Sequence, residues 1–199
     1  MKLGLLASQR GTNMQAIVDA CGSGRLAAVP AVVISNNSGS GAAERAKREG
    51  IPFHHLSGKT HPSGEALDAA ILGTLEEYGV ELVVLVGYMK RLGPKTLARY
   101  AGRVINTHPA LLPKFGGQGM YGARVHEAVL AAGERETGVS IHVVDQDYDT
   151  GPVIAQCRVS VEVGDTPESL AERVVTREHE FLVETIASIA DGRIRLPLA

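Results

Sequence analysis

The chain has 199 residues, of which 44 % are hydrophobic and 21 % charged, and its formal net charge at pH 7 is −2. These values are typical of a globular protein with one sizeable core, and we expect a single domain over residues 1–199. The near-neutral charge excludes a polycationic surface for nucleic acid, and no apolar stretch is long enough to span a membrane. Because only Cys21 and Cys157 are present, we expect reduced thiols and a cytoplasmic protein.

The first half of the chain alternates short apolar runs with amphipathic segments. The strands predicted from apolar and β-branched runs are Leu3–Ala7, Val29–Ser35, Pro52–His55 and Glu81–Val86. The helices predicted between and after them are Met14–Cys21, Gly41–Glu49, Glu65–Tyr78 and a short helix after Pro94. We expect Thr12 or Asn13 to cap the first helix. The fourth strand is apolar without alternation, which predicts burial on both faces, as in a parallel sheet covered by helices.

The second half continues the alternation but places two strands in succession near its end. The predicted strands are Arg103–His108, Val139–Val144 and Val153–Val161. The predicted helices are Tyr121–Ala132 and Thr166–Ile189, the second with start signals at Asp165, Thr166 and Pro167. Strands alternating with helices indicate an α/β fold with a mainly parallel sheet. Such sheets bind ligands at the carboxyl ends of their strands.

The turn Ser8–Asn13 joins the first predicted strand to the first helix. Free N–H groups at a helix start, together with the helix dipole, form a binding site for anions, and Gly11 lets the backbone come close to a phosphate. The turn matches neither GxxxxGK[ST] nor GxGxxG, so it is not a standard nucleotide loop. From the residues alone, a phosphate site and a simple capped turn are both open.

Asn106 and His108 stand two residues apart at the end of a predicted strand, so their side chains share one face. The Asn amide can donate to a developing oxyanion and the imidazole can give or take a proton, which together suit carbonyl chemistry. The alternative is a polar strand end whose side chains bond to neighbouring backbone. The long irregular segment that follows, with Pro109 and Pro113, is of a kind that often carries function.

Residues 145–152 (DQDYDTGP) bring three carboxylates into one loop between strands. A carboxylate beside an imidazole raises the imidazole pKa, so one of them could keep a histidine cationic near neutral pH. A solvated acidic turn is the alternative. His108, His142 and Asp149 could also hold a metal, but no HxH, HExxH or HxE…CxxC spacing supports this, and we expect no metal.

Several segments resemble signatures of the folate-dependent formyltransferases. Asn106–Pro113 (NTHPALLP) is similar to the family motif N-x-H-P-[SA]-L-L-P. Gly138–His142 together with Asp149–Ile154 is similar to the second signature, G-x-[ST]-[VI]-H…D-x-G-P. The start, Ala7–Ile17, resembles the phosphate loop of the branch that acts on glycinamide ribonucleotide, and the resemblance covers nearly the whole chain.

The resemblance implies a Rossmann-like fold, with a mostly parallel twisted sheet flanked by helices and an antiparallel C-terminal part. It implies an enzyme that moves the formyl group of 10-formyltetrahydrofolate, a co-substrate, onto the amine of glycinamide ribonucleotide in purine (IMP) biosynthesis. The N-terminal half would bind the ribonucleotide phosphate, and the C-terminal half would bind folate and carry catalysis. The implied partners are these small molecules, not nucleic acid or a membrane, and a homodimer is left open.

The resemblance also assigns roles to residues. The implied catalytic residues are Asn106, His108 and Asp149. The residues implied to bind the ribonucleotide are Gly11, Thr12, Asn13, Pro109 and Glu178. The residues implied to bind folate are Met89, Lys90, Arg91, Leu92, Asn106, Asp145 and Asp149.

In the implied mechanism the neutral amine attacks the formyl carbon, Asn106 and protonated His108 stabilise the oxyanion, and Asp149 keeps His108 charged. Gly64 and Lys90 depart from the family pattern, because many members carry arginine at the aligned positions. The segment Lys114–Arg124 is longer than in the best-known members.

Other functions compete with this interpretation. Methionyl-tRNA formyltransferase shares the LLP segment but needs a further C-terminal domain and a basic surface, which we do not expect in a mildly acidic chain. Formyltetrahydrofolate hydrolase passes the formyl group to water and usually carries an extra N-terminal regulatory domain, which we also do not expect. A non-catalytic folate- or phosphate-binding module would not need Asn106, His108 and Asp149 together.

Overall fold

A computed structural model describes residues 1–196 and builds them around a seven-stranded mixed sheet. The strands are β1 Lys2–Leu6, β2 Val29–Ser35, β3 Phe53–His55, β4 Leu82–Leu85, β5 Val104–His108, β6 Glu136–Val143 and β7 Val153–Ser160. The helices are α1 Thr12–Gly22, α2 Gly41–Arg48, α3 Gly64–Glu77, α4 Pro94–Arg99, α5 Ala123–Ala131 and α6 Pro167–Ala190.

The strand order is β3-β2-β1-β4-β5-β6-β7. The first five of these run parallel, whereas β6 lies antiparallel to both β5 and β7. This arrangement confirms the expected α/β fold with an antiparallel C-terminal part. Leu85, Asn106 and His142 are register partners on β4, β5 and β6, so their side chains point to one face of the sheet.

The core has a layer on each face of the sheet. One layer packs β-strand side chains such as Val84 and Ile105 against α1, α2 and α6. The other packs Leu6 and Val83 against α3 and α4. Every residue of β4 is buried, as its unbroken apolar run predicts for a strand covered on both faces. Within residues 1–196, no helix is both long and apolar enough to cross a bilayer.

The start of α1 differs from its prediction. The N-cap is Gly11, with φ 71° and no side-chain cap, so neither Thr12 nor Asn13 caps the helix. Gly11 is required because a Cβ there would lie 2.9 Å from the Ala42 Cα at the start of α2, and because its left-handed φ suits glycine. By contrast, Thr166 caps α6 as expected, with Ser169 completing a capping box.

The predicted β6 was also too short. It begins at Glu136 rather than Val139, because Glu136 is paired with Ser160 on β7 and the pairing continues from there to Ile141, after which the register shifts. Pairing of two adjacent strands, not local apolar character, therefore sets this boundary.

Candidate active site

The structure brings Asn106, His108 and Asp149 together at one point and adds His142 to them. Asp149 lies in the β6–β7 loop, which folds back so that Oδ2 is 3.5 Å from His108 Nδ1 and Oδ1 is 3.4 Å from His142 Nε2. The Asn106 amide donates to His142 Nε2 over 3.1 Å. One carboxylate thus bridges two imidazoles beside a carboxamide.

The outer hydrogen bonds of the two rings define which nitrogens are basic. His108 Nε2 lies 2.8 Å from the Phe115 carbonyl oxygen, and His142 Nδ1 lies 3.0 Å from the Val143 carbonyl oxygen. A carbonyl oxygen only accepts, so these nitrogens carry the ring protons. Of the remaining nitrogens, His142 Nε2 accepts from Asn106, whereas His108 Nδ1 has its lone pair free and faces Asp149. A proton taken up at His108 Nδ1 would therefore lie against the carboxylate.

Electrostatics at this cluster oppose one expectation. Burial lowers the pKa of His108 below its ordinary 6.5, outweighing the opposing effects of Asp149 and the Phe115 carbonyl. The ring is only 3 % exposed, and this burial favours the neutral imidazole over the cation that the sequence suggested. Burial also raises the pKa of Asp149, but the bond to His142, the charge of His108 and the Gly117 N–H together bring it below 3.8.

Backbone strain is concentrated around His108. Phe115 and Asp149 are the non-glycine residues with left-handed φ within residues 1–196, at 56° and 57°. Phe115 supplies the carbonyl that accepts from His108, and Asp149 supplies the carboxylate that faces it. Such conformations cost about 1–3 kcal/mol each and persist only where the surroundings hold them.

The irregular segment after His108 is clamped onto β6 and β7. The Ser140 hydroxyl donates to the Ala110 carbonyl (2.6 Å) and accepts from the Leu112 N–H (2.9 Å). The Gln156 amide donates to the Leu112 carbonyl over 3.0 Å. Pro109, half-buried, enters this clamped segment directly after His108. The loop that carries Phe115 is therefore held in place by buried hydrogen bonds.

A cleft opens beside the cluster of Asn106, His108, His142 and Asp149, on the same face of the sheet. One wall is the loop after β4, with Lys90, Arg91 and Leu92, and the other is the β6–β7 loop, Asp145–Asp149. Asn106 and His142 line it as well. Arg91 joins the walls, with its guanidinium 3.1 Å from Asp147 and 4.5 Å from the centre of the Tyr148 ring.

Two predicted folate residues use their polar groups within the protein. Met89 is not among the residues that line the cleft, and its N–H donates to the Ser8 hydroxyl over 2.8 Å. Asp145 lines the cleft, while its Oδ1 accepts from the Asp147 N–H and the Thr150 hydroxyl. Asp145 thereby sets the turn that presents Asp149 to the histidines.

The predicted phosphate loop is held firmly against α2. The Gln9 carbonyl accepts from the Ala42 N–H (3.1 Å), and the Arg10 carbonyl accepts from the Arg45 guanidinium (3.0 Å). The first N–H groups of α1, at Thr12 and Asn13, have no helical partner and no side-chain cap from Gly11. Free N–H groups at a helix start can bind an anion, so the phosphate site stays a prediction that this geometry permits.

Glu178 lies near the predicted phosphate loop and away from the cluster of Asn106, His108, His142 and Asp149. Its carboxyl group accepts from the Thr107 hydroxyl over 2.8 Å, and the Asn13 side chain lies close enough to stabilise the carboxylate. Thr107 alternates with Asn106 and His108 along β5, so Glu178 lies on the opposite face of that strand. Burial raises the pKa of Glu178 above 4.5. Of the residues assigned to the ribonucleotide, Gly11 and Glu178 are buried, whereas Thr12, Asn13 and Pro109 are half-buried.

His142 is the site residue that the sequence analysis did not identify, because it was weighed only as a metal ligand. Its position opposite Asn106 depends on the β5–β6 register, which a strand pattern alone does not predict. Within residues 1–196, no group of His, Cys, Asp and Glu side chains is arranged to hold a metal ion.

Residues 1–186 match the family model described as formyl transferase, and the chain belongs to the formyl transferase family. It is 37 % identical to phosphoribosylglycinamide formyltransferase of Escherichia coli K12, over 98 % of this chain and 90 % of the relative. The structure superposes on glycinamide ribonucleotide transformylase 1 of Symbiobacterium toebii with a TM-score of 0.90 at 39 % identity, covering 97 % of this chain and 89 % of the other.

A second solved structure, phosphoribosylglycinamide formyltransferase of Bacillus halodurans, gives a TM-score of 0.89 at 37 % identity and covers both chains completely (100 %). A formyltetrahydrofolate deformylase of Pseudomonas syringae is also similar, with a TM-score of 0.85, but it is only 26 % identical and this chain covers 62 % of it. The relatives with the higher identities therefore carry the transferase name.

Proposed function

We propose that this protein transfers the formyl group of 10-formyltetrahydrofolate to the amine of glycinamide ribonucleotide, giving N-formylglycinamide ribonucleotide and tetrahydrofolate for purine synthesis. The observation that carries the proposal is Asp149 held between two basic ring nitrogens, His108 Nδ1 and His142 Nε2, beside Asn106. This is a site for moving one proton while an oxyanion forms and collapses. The names of the relatives supply the ribonucleotide, and the resemblance to the folate-dependent formyltransferases supplies the formyl donor.

In the first step the amine lone pair attacks the formyl carbon, and the C=O π electrons move to the oxygen. Asn106 donates one amide hydrogen to His142 and has a second for the developing oxyanion. His108 enters this step as a neutral base, since burial lowers its pKa. Its Nδ1 accepts the proton that the attacking amine releases, and the imidazolium so formed faces the Asp149 carboxylate.

In the second step the oxyanion reforms C=O and the bond between the formyl carbon and the folate nitrogen breaks. The leaving nitrogen keeps the bonding electron pair and takes the proton from His108, whose imidazolium faces Asp149. The proton gained in the first step is thus returned in the second. His142 Nε2 accepts from Asn106, so His142 is proposed as a positioning residue that orients the Asn106 amide, alongside the catalytic Asn106, His108 and Asp149.

For the ribonucleotide, we propose that its phosphate binds the N–H groups at Gly11, Thr12 and Asn13, with Pro109 and Glu178 contacting the rest of the molecule. The support is the uncapped start of α1 and the contact between Asn13 and the buried Glu178 carboxyl. Residues 1–199 are proposed to act as one domain, with phosphate binding in the N-terminal half and catalysis in the C-terminal half.

For the folate, we propose the cleft between the loop after β4 and the β6–β7 loop. Its walls combine the predicted residues Lys90, Arg91, Leu92 and Asp145 with Asn106 and Asp149. Met89 is proposed to act through the backbone of this loop. The cleft opens next to the proton-holding cluster, which would bring the formyl carbon to it. Folate binding would therefore draw on residues of both halves of the chain.

Two further proposals concern the state of the protein. Cys21 and Cys157 are unpaired, which is consistent with a cytoplasmic enzyme. A homodimer could form at β7, the edge strand of the sheet, whose Val153 is 42 % exposed. Sedimentation velocity would test the dimer directly.

The deciding experiment mixes the purified protein with 10-formyltetrahydrofolate, with and without glycinamide ribonucleotide, and follows tetrahydrofolate release. The proposal expects release that depends on the ribonucleotide. Release at the same rate without it would instead identify a formyltetrahydrofolate hydrolase, which transfers to water. Folate binding without any turnover would identify a binding module.

A further inference from the structure

Ser8 occupies a junction between three loops. In the sheet β1 lies between β2 and β4, so the loop after β1 runs between the loops that follow those strands. The Ser8 hydroxyl donates to the Asn36 side-chain oxygen over 2.5 Å and accepts from the Met89 N–H over 2.8 Å. The Ser8 N–H donates to the Gly87 carbonyl over 3.0 Å. Ser8 is only 6 % exposed.

The direction of each bond follows from the chemistry of its partner. A backbone N–H can only donate and an amide oxygen can only accept, so the hydroxyl of Ser8 must accept from Met89 and donate to Asn36. The hydroxyl acts as both a donor and an acceptor, and the Ser8 side chain has no other group that could form these bonds. The hydroxyl oxygen therefore bonds to both neighbouring loops, and the bond from the Ser8 N–H to Gly87 adds a second link to the loop after β4.

The two sides of this junction are the two proposed substrate sites. Ser8 begins the turn that ends at Asn13, where the phosphate is proposed to bind. Met89 begins the segment Met89–Leu92, which forms one wall of the folate cleft. We propose that Ser8 is a positioning residue, which sets the folate-binding segment relative to the phosphate loop. This inference rests on the proposed function.

The two sites depend on Ser8 to different degrees. The phosphate loop is also fixed by the bonds from Ala42 and Arg45, and by Gly41, where a Cβ would lie 2.7 Å from the Arg10 carbonyl oxygen. The Met89 N–H, in contrast, is held by the Ser8 oxygen. Loss of that oxygen should therefore disturb the folate segment and leave the phosphate loop in place.

The test is steady-state kinetics of Ser8→Ala against Ser35→Ala. Ser35 is a matched control, because it is fully buried and its hydroxyl also accepts a backbone N–H, that of Asn37, but it does not contact the folate segment. For Ser8→Ala we expect the KM for the formyl donor to rise about five- to tenfold, the effect of leaving one backbone donor unpaired. The ribonucleotide KM should stay within about twofold. Ser35→Ala should shift neither KM selectively.

Two more variants keep the test informative if Ser8→Ala folds poorly. Ser8→Thr retains the oxygen and should restore the donor KM toward the wild-type value. Asn36→Ala leaves the Met89 N–H paired and should raise the donor KM less than Ser8→Ala does.

Equal changes in both KM values, or the same donor effect from Ser35→Ala, would overturn the positioning role. A larger effect on the ribonucleotide KM than on the donor KM would overturn it as well. Failure of the proposed function is distinguishable, since the wild-type protein would then show no ribonucleotide-dependent turnover at all.

Discussion

Replacement of Asp149 by asparagine removes the charge at the centre of the cluster while keeping its shape. Asparagine accepts the left-handed backbone that Asp149 adopts, and its side-chain oxygen can still accept from the Gly117 N–H. The variant therefore separates the charge of residue 149 from its structural role. Asp149→Asn is expected to fold and to bind both substrates.

The size of the effect follows from the distance between the charges. His108 Nδ1 and Asp149 Oδ2 are 3.5 Å apart, with side chains 4 % and 11 % exposed. At an effective dielectric constant of about 20, opposite unit charges at that distance attract by about 5 kcal/mol. If the imidazolium forms during the reaction, the variant loses this attraction in the transition state. Since about 1.4 kcal/mol corresponds to a factor of ten, kcat should fall by roughly 10³.

The assay is ribonucleotide-dependent release of tetrahydrofolate, with urea unfolding to confirm that the variant is folded. Asp147→Asn serves as the comparison, because Asp147 lies in the same loop but its side chain is 74 % exposed and its charge is screened by water. We expect it to change kcat by no more than about threefold. A folded Asp149→Asn enzyme with kcat within about tenfold of wild type would refute the charged-intermediate reasoning.

Further predictions concern stability against pH and the mouth of the cleft. Burial, together with the charge of His108, lowers the pKa of His126 below 6.5. The unfolded chain therefore protonates His126 more readily than the folded chain, and the free energy of unfolding decreases as pH falls below about 6.5. His126→Leu should flatten the urea midpoints between about pH 7 and 5, and an unchanged slope would contradict this. Burial raises the pKa of Glu178 above 4.5. The Glu178 carboxyl group therefore ionises at a lower pH in the unfolded chain than in the folded chain, and the free energy of unfolding decreases as pH rises above about 4.5. Glu178→Gln should therefore gain stability relative to wild type from about pH 5 to 8, whereas a pH-independent difference would show that burial of the charge is not the cause. Arg91→Gln should raise the donor KM about threefold. Arg99 is the control, because it forms a similar exposed ion pair with Glu76 and packs on the Tyr100 ring outside the cleft, and Arg99→Gln should leave the donor KM unchanged. Equal effects of the two variants would show that Arg91 does not belong to the folate site.

The elements that could be predicted from the sequence are those whose cause is local. The bounds of β2, Val29–Ser35, coincide with the prediction because a β-branched run ends at a polar turn. Thr166 was recognised as the start of α6 because a cap acts on N–H groups within three residues of itself. The burial of β4 followed from an apolar run without alternation.

Elements whose cause is distant in the chain were predicted wrongly. Thr12 and Asn13 looked like caps for α1, yet Gly11 is the N-cap because Ala42, which follows in the next helix, packs against it. The true start of β6 at Glu136 depends on its partner Ser160 on β7. Neither contact can be inferred from the residues that neighbour Gly11 or Glu136 in the sequence.

At the site, sequence alone was enough to single out Asn106, His108 and Asp149, because short motifs record which residue types a reaction needs. The tertiary structure alone decided how they work together. It placed His142 opposite Asn106 through strand register, and it fixed the proton on His108 Nε2 through the Phe115 carbonyl. It also lowered the pKa of His108, because a pKa reflects burial and every nearby charge, and those are set by the whole fold.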